Sequence, residues 1–228
     1  MSSEPLILAV ETATLSGSLA LMRGDELIAT ASGDPAVSHS NTLLADLDKL
    51  LSETTFKLAD VDLFAVAAGP GSFTGLRIGI ATVKGLGATL GRSCAAVPTL
   101  QAVALAGGVS EASVALLPAG RGEVFAQLFS VSADDVTALD EPSHISPQKM
   151  IDKYGSLEKA VWCGEGAIAQ RGLIESSAVA KEWRIAPRIE NLAPYVAALA
   201  LRKLDHVVAA DALQAIYVRP SDAELKVS

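Results

Sequence analysis

The sequence predicts an α/β protein of two lobes, each a mixed sheet flanked by helices. Three observations carry this. Short apolar runs that read as strands alternate with longer segments of helical periodicity. The alternation opens on an antiparallel hairpin, so the sheet is mixed, not wholly parallel. The 228 residues suit two lobes of about 100 residues each. Composition agrees: 50% of residues are hydrophobic but only 4% aromatic, and 39 are alanine. Small side chains suit helices packed closely on a buried sheet and argue against stacking of bases on aromatic platforms.

The elements follow in order. Leu6 to Val10 is a continuous apolar run that stops at Glu11. Gly17 to Met22 and Glu26 to Thr30 are the next two strands, joined by Arg23-Gly24-Asp25, whose glycine and aspartate suit a tight hairpin turn. That Arg-Gly-Asp string is a turn and not a cell-adhesion signal. Ser38 to Ser52 reads as a helix, with Leu43, Leu44, Leu47, Leu50 and Leu51 on one face and Asp46 and Lys49 on the other. Leu63 to Ala68 is apolar throughout, as a strand covered on both faces requires. It leads into Gly69-Pro70-Gly71-Ser72-Phe73-Thr74-Gly75 and a long helix ending near Leu90, before Gly91. Ser93 to Val97 is a strand, and Pro98 and Thr99 open a helix to about Ala106. Gly107-Gly108 marks the expected boundary between an N-terminal lobe, 1–107, and a C-terminal lobe, 108–228. In the second lobe, Val114 to Leu117, Val124 to Val131 and Ala160 to Cys163 read as strands. Pro147 to Tyr154 and Leu192 to Leu204 read as helices, the last able to pack back on the first lobe.

Several functions are excluded early. A net charge of −8 is wrong for a chain that holds nucleic acid alone, because nonspecific affinity comes from neutralising phosphates. The N-terminus lacks a basic region before its apolar run, so no signal peptide is expected, and no apolar stretch approaches a membrane span. A cytoplasmic protein is expected. Cys94 and Cys163 have no zinc or disulfide spacing and read as buried thiols. His39, His144 and His206 are far apart, and four residues after His39 stands Leu43, so there is no His-x-x-x-His pair to grip a metal. Glu11 is a lone carboxylate at a strand end, where a cation is sometimes held. No Gly-x-Ser-x-Gly elbow is present. No catalytic residue and no metal ligand set is expected.

The Gly69–Gly75 turn is the most informative segment. Free N–H groups at a helix start can bind an anion, but Gly75 is followed by Leu76 and Arg77, not by the Lys-Ser/Thr of a phosphate-cradling loop. Gly69, Gly71 and Gly75 are therefore read first as backbone geometry, with Gly71 at positive φ and Ser72 capping the helix. Beyond the turn, Gly75, Gly79, Val83, Gly87 and Gly91 form one ridge at four-residue spacing. Each glycine costs a helix about 1 kcal/mol against alanine, so the ridge needs close approach of something. Packing within the lobe and contact with a partner both remain open.

Leu8-Ala9-Val10-Glu11-Thr12-Ala13-Thr14, Gly17-Ser18-Leu19-Ala20-Leu21 and the long glycine-rich stretch from Gly69 to Leu86 together resemble the TsaB (YeaZ) family. Ser38-His39-Ser40, Gly164-Glu165-Gly166 and the string from Ala215 to Pro220 support the resemblance nearly end to end. It implies an actin-like ATPase fold with two ribonuclease-H-like lobes. It also implies a non-catalytic subunit that pairs with the metal-bearing enzyme TsaD, assisted by the small ATPase TsaE. The complex would transfer a threonylcarbamoyl group to the adenosine adjacent to the anticodon of tRNAs reading ANN codons. The chain itself is then expected to hold no cofactor, to touch tRNA only through the complex, and to form a homodimer in isolation. The family pairs through its first two helices, which makes Leu43, Leu47, Gly75, Gly79 and Val83 the expected partner contacts. Two departures stand out: the first strand usually ends in aspartate where this chain has Glu11, and Pro118-Ala119-Gly120 replaces Asp-Ala-Arg, while Gly122-Glu123-Val124 is kept. The alternative is an independently active acyltransferase or ATPase. A peptidase, a label relatives have carried, lacks any nucleophile–base pair here.

Overall fold

The computed structural model describes residues 4–34 and 36–218. In chain order the elements are β1 (Leu6–Glu11), β2 (Ser18–Arg23), β3 (Glu26–Ser32), α1 (His39–Ser52), β4 (Leu63–Gly69), α2 (Phe73–Leu90), β5 (Ser93–Pro98) and α3 (Thr99–Ala106). There follow β6 (Ser110–Gly120), β7 (Glu123–Val131), β8 (Val136–Ala138), β9 (Ser143–Ile145), α4 (Pro147–Tyr154), β10 (Lys159–Cys163), α5 (Glu165–Ala169), α6 (Arg171–Ser177), β11 (Glu182–Ile185) and α7 (Ala193–Arg202). Arg219 and Pro220, which complete the string from Ala215, lie outside the described residues.

The chain divides into two compact units. The first is Met1–Thr99 with Glu190–Ile216, and the second is centred on Leu100–Ile189. The division thus falls at Thr99, not at the Gly107-Gly108 pair. The reason is α3: its Gln101 side chain donates to the Val136 carbonyl at 2.7 Å, and Val103 packs where a Cβ on Gly164 would lie, both in the second unit.

In the first unit the sheet runs β3-β2-β1-β4-β5, with β1, β2 and β3 antiparallel and β1, β4 and β5 parallel. Strand alternation sends Leu6, Leu8, Val10, Leu19, Leu21, Phe64 and Val66 to one face, where they meet Leu43, Leu47 and Leu50 of α1 and Ile80 and Val83 of α2. The other set of β1, β2 and β4 residues includes Ala9, Ala20, Ala65 and Ala67, all buried. Helix α7 packs on these three strands and buries Ala193, Val196, Ala197, Leu199 and Ala200. Alanine on both sides of that contact is what the alanine-rich composition serves.

In the second unit the sheet runs β11-β10-β6-β7-β8, with β9 added to β7. Strands β8, β9 and β11 and helices α5 and α6 are too short to show a period in the sequence, at three to seven residues each. The core here is aromatic. Trp162 is fully buried, edge-on to Tyr154 at 6.2 Å and tilted against Trp183 at 4.8 Å between ring centroids. Among the described residues no helix is long and apolar enough to cross a membrane.

Trp162→Ala is expected to cost about 3–5 kcal/mol, the range for deleting a large buried ring. Trp183→Phe, which loses a hydrogen bond to the Leu157 carbonyl at 2.8 Å, is expected to cost about 1 kcal/mol. Urea denaturation followed by far-ultraviolet circular dichroism gives both values, and equal costs would contradict the assigned packing.

Candidate partner-facing site

The site is built where the ends of β1 and β4 deliver two turns to the starts of α1 and α2. After β1 the chain crosses Thr12 to Gly17 and returns as β2. After β4 it crosses Gly69 to Ser72 and enters α2. The Ser72 hydroxyl caps α2 by accepting the Gly75 N–H at 3.2 Å, and the Ser72 carbonyl accepts the Leu76 N–H at 2.8 Å. Ser72 donates its own N–H to the Ala13 carbonyl at 2.8 Å. The N–H groups of Ser72, Gly75 and Leu76 at this helix start are therefore engaged within the protein.

Each glycine of the turn answers a distinct demand. Gly69 stands at φ +125, and a Cβ there would run into the Ile216 backbone. Gly71 is not at positive φ, contrary to expectation; it is glycine because a Cβ would lie 2.6 Å from the Ala13 carbonyl oxygen. Gly75 faces the Thr12 carbonyl oxygen and Gly79 the Thr12 hydroxyl, both too close for any Cβ. Thr12 fastens the contact by donating its hydroxyl to the Gly75 carbonyl at 2.7 Å. Gly87 makes the same kind of approach to Cys94, whose sulfur would be 2.6 Å from a Cβ.

This placement corrects the expected contact set. Gly75, Gly79 and Val83 are buried on the sheet side of α2, and Leu43 and Leu47 are buried on the sheet side of α1. All five belong to the interior of the first unit, so a partner does not reach them as the chain is folded. The ridge is internal packing. The outward face of the same helices carries Leu44, 64% exposed, and Phe73, 38% exposed, with the Arg77 guanidinium 3.9 Å from the Phe73 ring centroid. It also carries Ala81 and Gly85, both exposed, and a Cβ on Gly85 would meet nothing within 4 Å.

Glu11 is the other buried feature. Its carboxyl is 1% exposed and accepts the Thr14 N–H at 2.7 Å, the Thr14 hydroxyl at 2.9 Å and the Ser18 hydroxyl at 3.3 Å. Burial pushes its pKa above the ordinary 4.5, and the bonds from Thr14 and Ala13 and the neighbouring His39 pull the other way. The Ser18 oxygen in turn accepts the N–H groups of Leu192 and Ala193, at 3.1 and 3.0 Å, where α7 begins. His39 holds the Thr14 carbonyl through Nε2 at 3.0 Å. A shallow cleft opens beside this cluster, lined by Ser16, Gly17, Gly33, His39, Thr42 and Asp46. Thr12, Thr14 and Ser18 were missed in the sequence; the signal for Ser18 was the hairpin register, which pairs it with Glu11.

The thiols are inert. Cys163 donates to the Val114 carbonyl at 3.5 Å and burial pushes its pKa up to about 12; burial also raises Cys94. The Pro118-Ala119-Gly120 segment is the end of β6 and leads into a tight hairpin, with Gly120, Arg121 and Gly122 all at positive φ.

Residues 34–218 match the family model described as tRNA N6-adenosine threonylcarbamoyltransferase, TsaD. The chain belongs to the TsaD family. Among members and relatives of the TsaD family, it is 32% identical to the tRNA threonylcarbamoyladenosine biosynthesis protein TsaB of Bacillus subtilis over 124 residues, 54% of each chain. It is 38% identical to TsaB of Escherichia coli over 80 residues, 35% of this chain and 34% of that one. The chain spans about half the length of the first curated relatives it matches. In structure it is similar to YeaZ from Pseudomonas aeruginosa, at a TM-score of 0.76 and 22% identity over 94% of this chain and 100% of that one. The fold is the actin-like ATPase fold, with two mixed sheets flanked by helices.

The metal that the family resemblance gives to the enzyme subunit does not fit the residues here. His39 spends Nε2 on Thr14, and Leu43, one turn on, is in the core. Among the described residues no three of His, Cys, Asp and Glu gather as a metal set.

Glu11 makes stability depend on pH with a definite sign. A carboxyl whose pKa is raised on folding binds more protons folded than unfolded between 4.5 and the raised value. Its contribution is therefore full below 4.5 and is lost as pH rises through the folded value. Glu11→Gln does not titrate, so the parent's stability advantage over this variant should be largest near pH 4 and shrink toward pH 8. Urea midpoints across that range check it, and a constant gap would contradict the raised pKa.

Proposed function

We propose that this chain is a non-catalytic activator subunit that pairs with TsaD, so that the complex transfers a threonylcarbamoyl group to the adenosine adjacent to the anticodon of tRNAs reading ANN codons. The matched family and the relatives named TsaB support the pathway. A net charge of −8 suits a subunit that meets tRNA only through the complex, and TsaE would act on the assembled pair.

The observation that carries the scaffold role is Gly85. Gly75, Gly79 and Gly87 are explained by internal contacts, but Gly85 is exposed in the middle of α2 with open space where its Cβ would be. Among the described residues nothing approaches that position to offset its cost to the helix, about 1 kcal/mol against alanine. Close approach of a partner helix would offset it. Ala81 one turn before it, and Leu44 on the adjoining α1, extend the face with one flat and one apolar element. Self-association through the same face is the expected state without TsaD.

Assays of threonylcarbamoyl transfer by the chain alone, by TsaD alone and by their mixture test the reading: turnover is expected only in the mixture. Turnover by the chain alone would favour the independently active acyltransferase. Gly85→Leu and Leu44→Arg should leave the circular dichroism and thermal midpoint close to the parent's. Each should weaken TsaD binding by roughly one to two decades, the effect of about 1–3 kcal/mol of overpacking or of an unpaired charge at the contact. Gly79→Leu should fail to fold, because its side chain meets Thr12. Two folded variants that bind TsaD as tightly as the parent would remove this face from the interface.

A further inference from the structure

Two of the donors around Glu11, the Ser18 hydroxyl and the Thr14 N–H, have no choice of direction. The Ser18 oxygen accepts two backbone N–H groups, from Leu192 and Ala193, which uses both its lone pairs. Its single proton must therefore point to Glu11 Oε2. The Thr14 N–H, a donor by nature, points at Oε1 at 2.7 Å. Both carboxyl oxygens are thus required to accept, and the Thr14 hydroxyl at 2.9 Å from Oε2 is the one neighbour free to take either role. An amide side chain cannot satisfy this pattern, since one of its two ends is only a donor. Glu11 also lines the cleft that opens between the β1–β2 turn and α1, so the space its carboxyl fills adjoins solvent on that side.

We propose that the β1–β2 turn is a carboxyl-binding cradle which the chain fills with its own Glu11 side chain, so that the turn is closed to external anions until that side chain is cut back. In this arrangement the carboxyl is a built-in ligand. It fixes Thr14, whose carbonyl seats His39 at the start of α1, and Ser18, whose oxygen seats the start of α7. The inference is independent of the partner reading, because it concerns the free chain.

The test is chemical rescue in the full chain. Glu11→Ala removes an acetate-sized group beside the cleft. Its thermal midpoint should fall and then recover, saturably, on adding sodium acetate, with the folded-to-unfolded ratio rising several-fold. Equal concentrations of sodium chloride or of acetamide should give no recovery, the latter because both positions must accept. The parent should not respond to acetate or to inorganic phosphate. A folded Glu11→Ala that responds to acetate no more than to chloride overturns the proposal, as does recovery with acetamide. Should Glu11→Ala not fold, the carbon-13 titration of the Glu11 carboxyl in Ser18→Ala replaces it. Loss of a forced donor should move the midpoint upward from the parent's, and an unmoved midpoint overturns the cradle.

Discussion

The contact on which the first unit depends is the seat of α2 on Thr12, at the end of β1. Helix and strand approach closely enough that neither Gly75 nor Gly79 has space for a Cβ, and the Thr12 hydroxyl closes the gap by donating to the Gly75 carbonyl. Everything nearby follows from that distance. The turn before α2 must be tight, hence Gly69 at positive φ and Gly71 flush against Ala13. The turn after β1 must return at once into β2, which brings Ser18 opposite Glu11. Glycine in a helix is ordinarily a cost; here it is the condition for a helix to sit on backbone in place of side chains.

The same geometry decides which residues face outward. A helix seated through its glycine ridge leaves the opposite face to solvent, and on α2 that face is Phe73, Arg77, Ala81 and Gly85. The two sets of small residues on one helix have different physical meanings. Gly75, Gly79 and Gly87 meet neighbours at distances no Cβ tolerates, while Gly85 meets none. Sequence spacing alone treats them as equivalent, because period gives the angle around the helix and not what lies at that angle.

That is also where legibility in the sequence ended. The strands of the first unit and their succession along the chain, its hairpin, both long helices and the glycine turn were readable, because each has a period or a turn signal of adequate length; the order of the strands within the sheet came only with the structure. Five short elements of the second unit were not, since three to seven residues carry no period. The expected contact residues Leu43, Leu47, Gly75, Gly79 and Val83 are buried toward the sheet, because spacing along a helix does not say which side of it meets the sheet. The leucine-rich face of α1 had to cover something, and the nearest apolar surface was its own sheet. Leu44, directly after the buried Leu43, was the residue left over.

Glu11 shows why a lone carboxylate resists reading from sequence. Its type and its position at a strand end suggest a cation site, yet its surroundings are donors supplied by Thr14, Ser18 and the Ala13 backbone. A cation needs several oxygen ligands converging on one point, whereas here one carboxyl is the point on which donors converge. The polarity of the site is therefore the reverse of what the residue name suggests. With its donors spent on Glu11, its glycine turn spent on Thr12 and Ala13, and His39 spent on Thr14, the polar equipment of this end of the sheet is used to hold two turns and two helix starts in place.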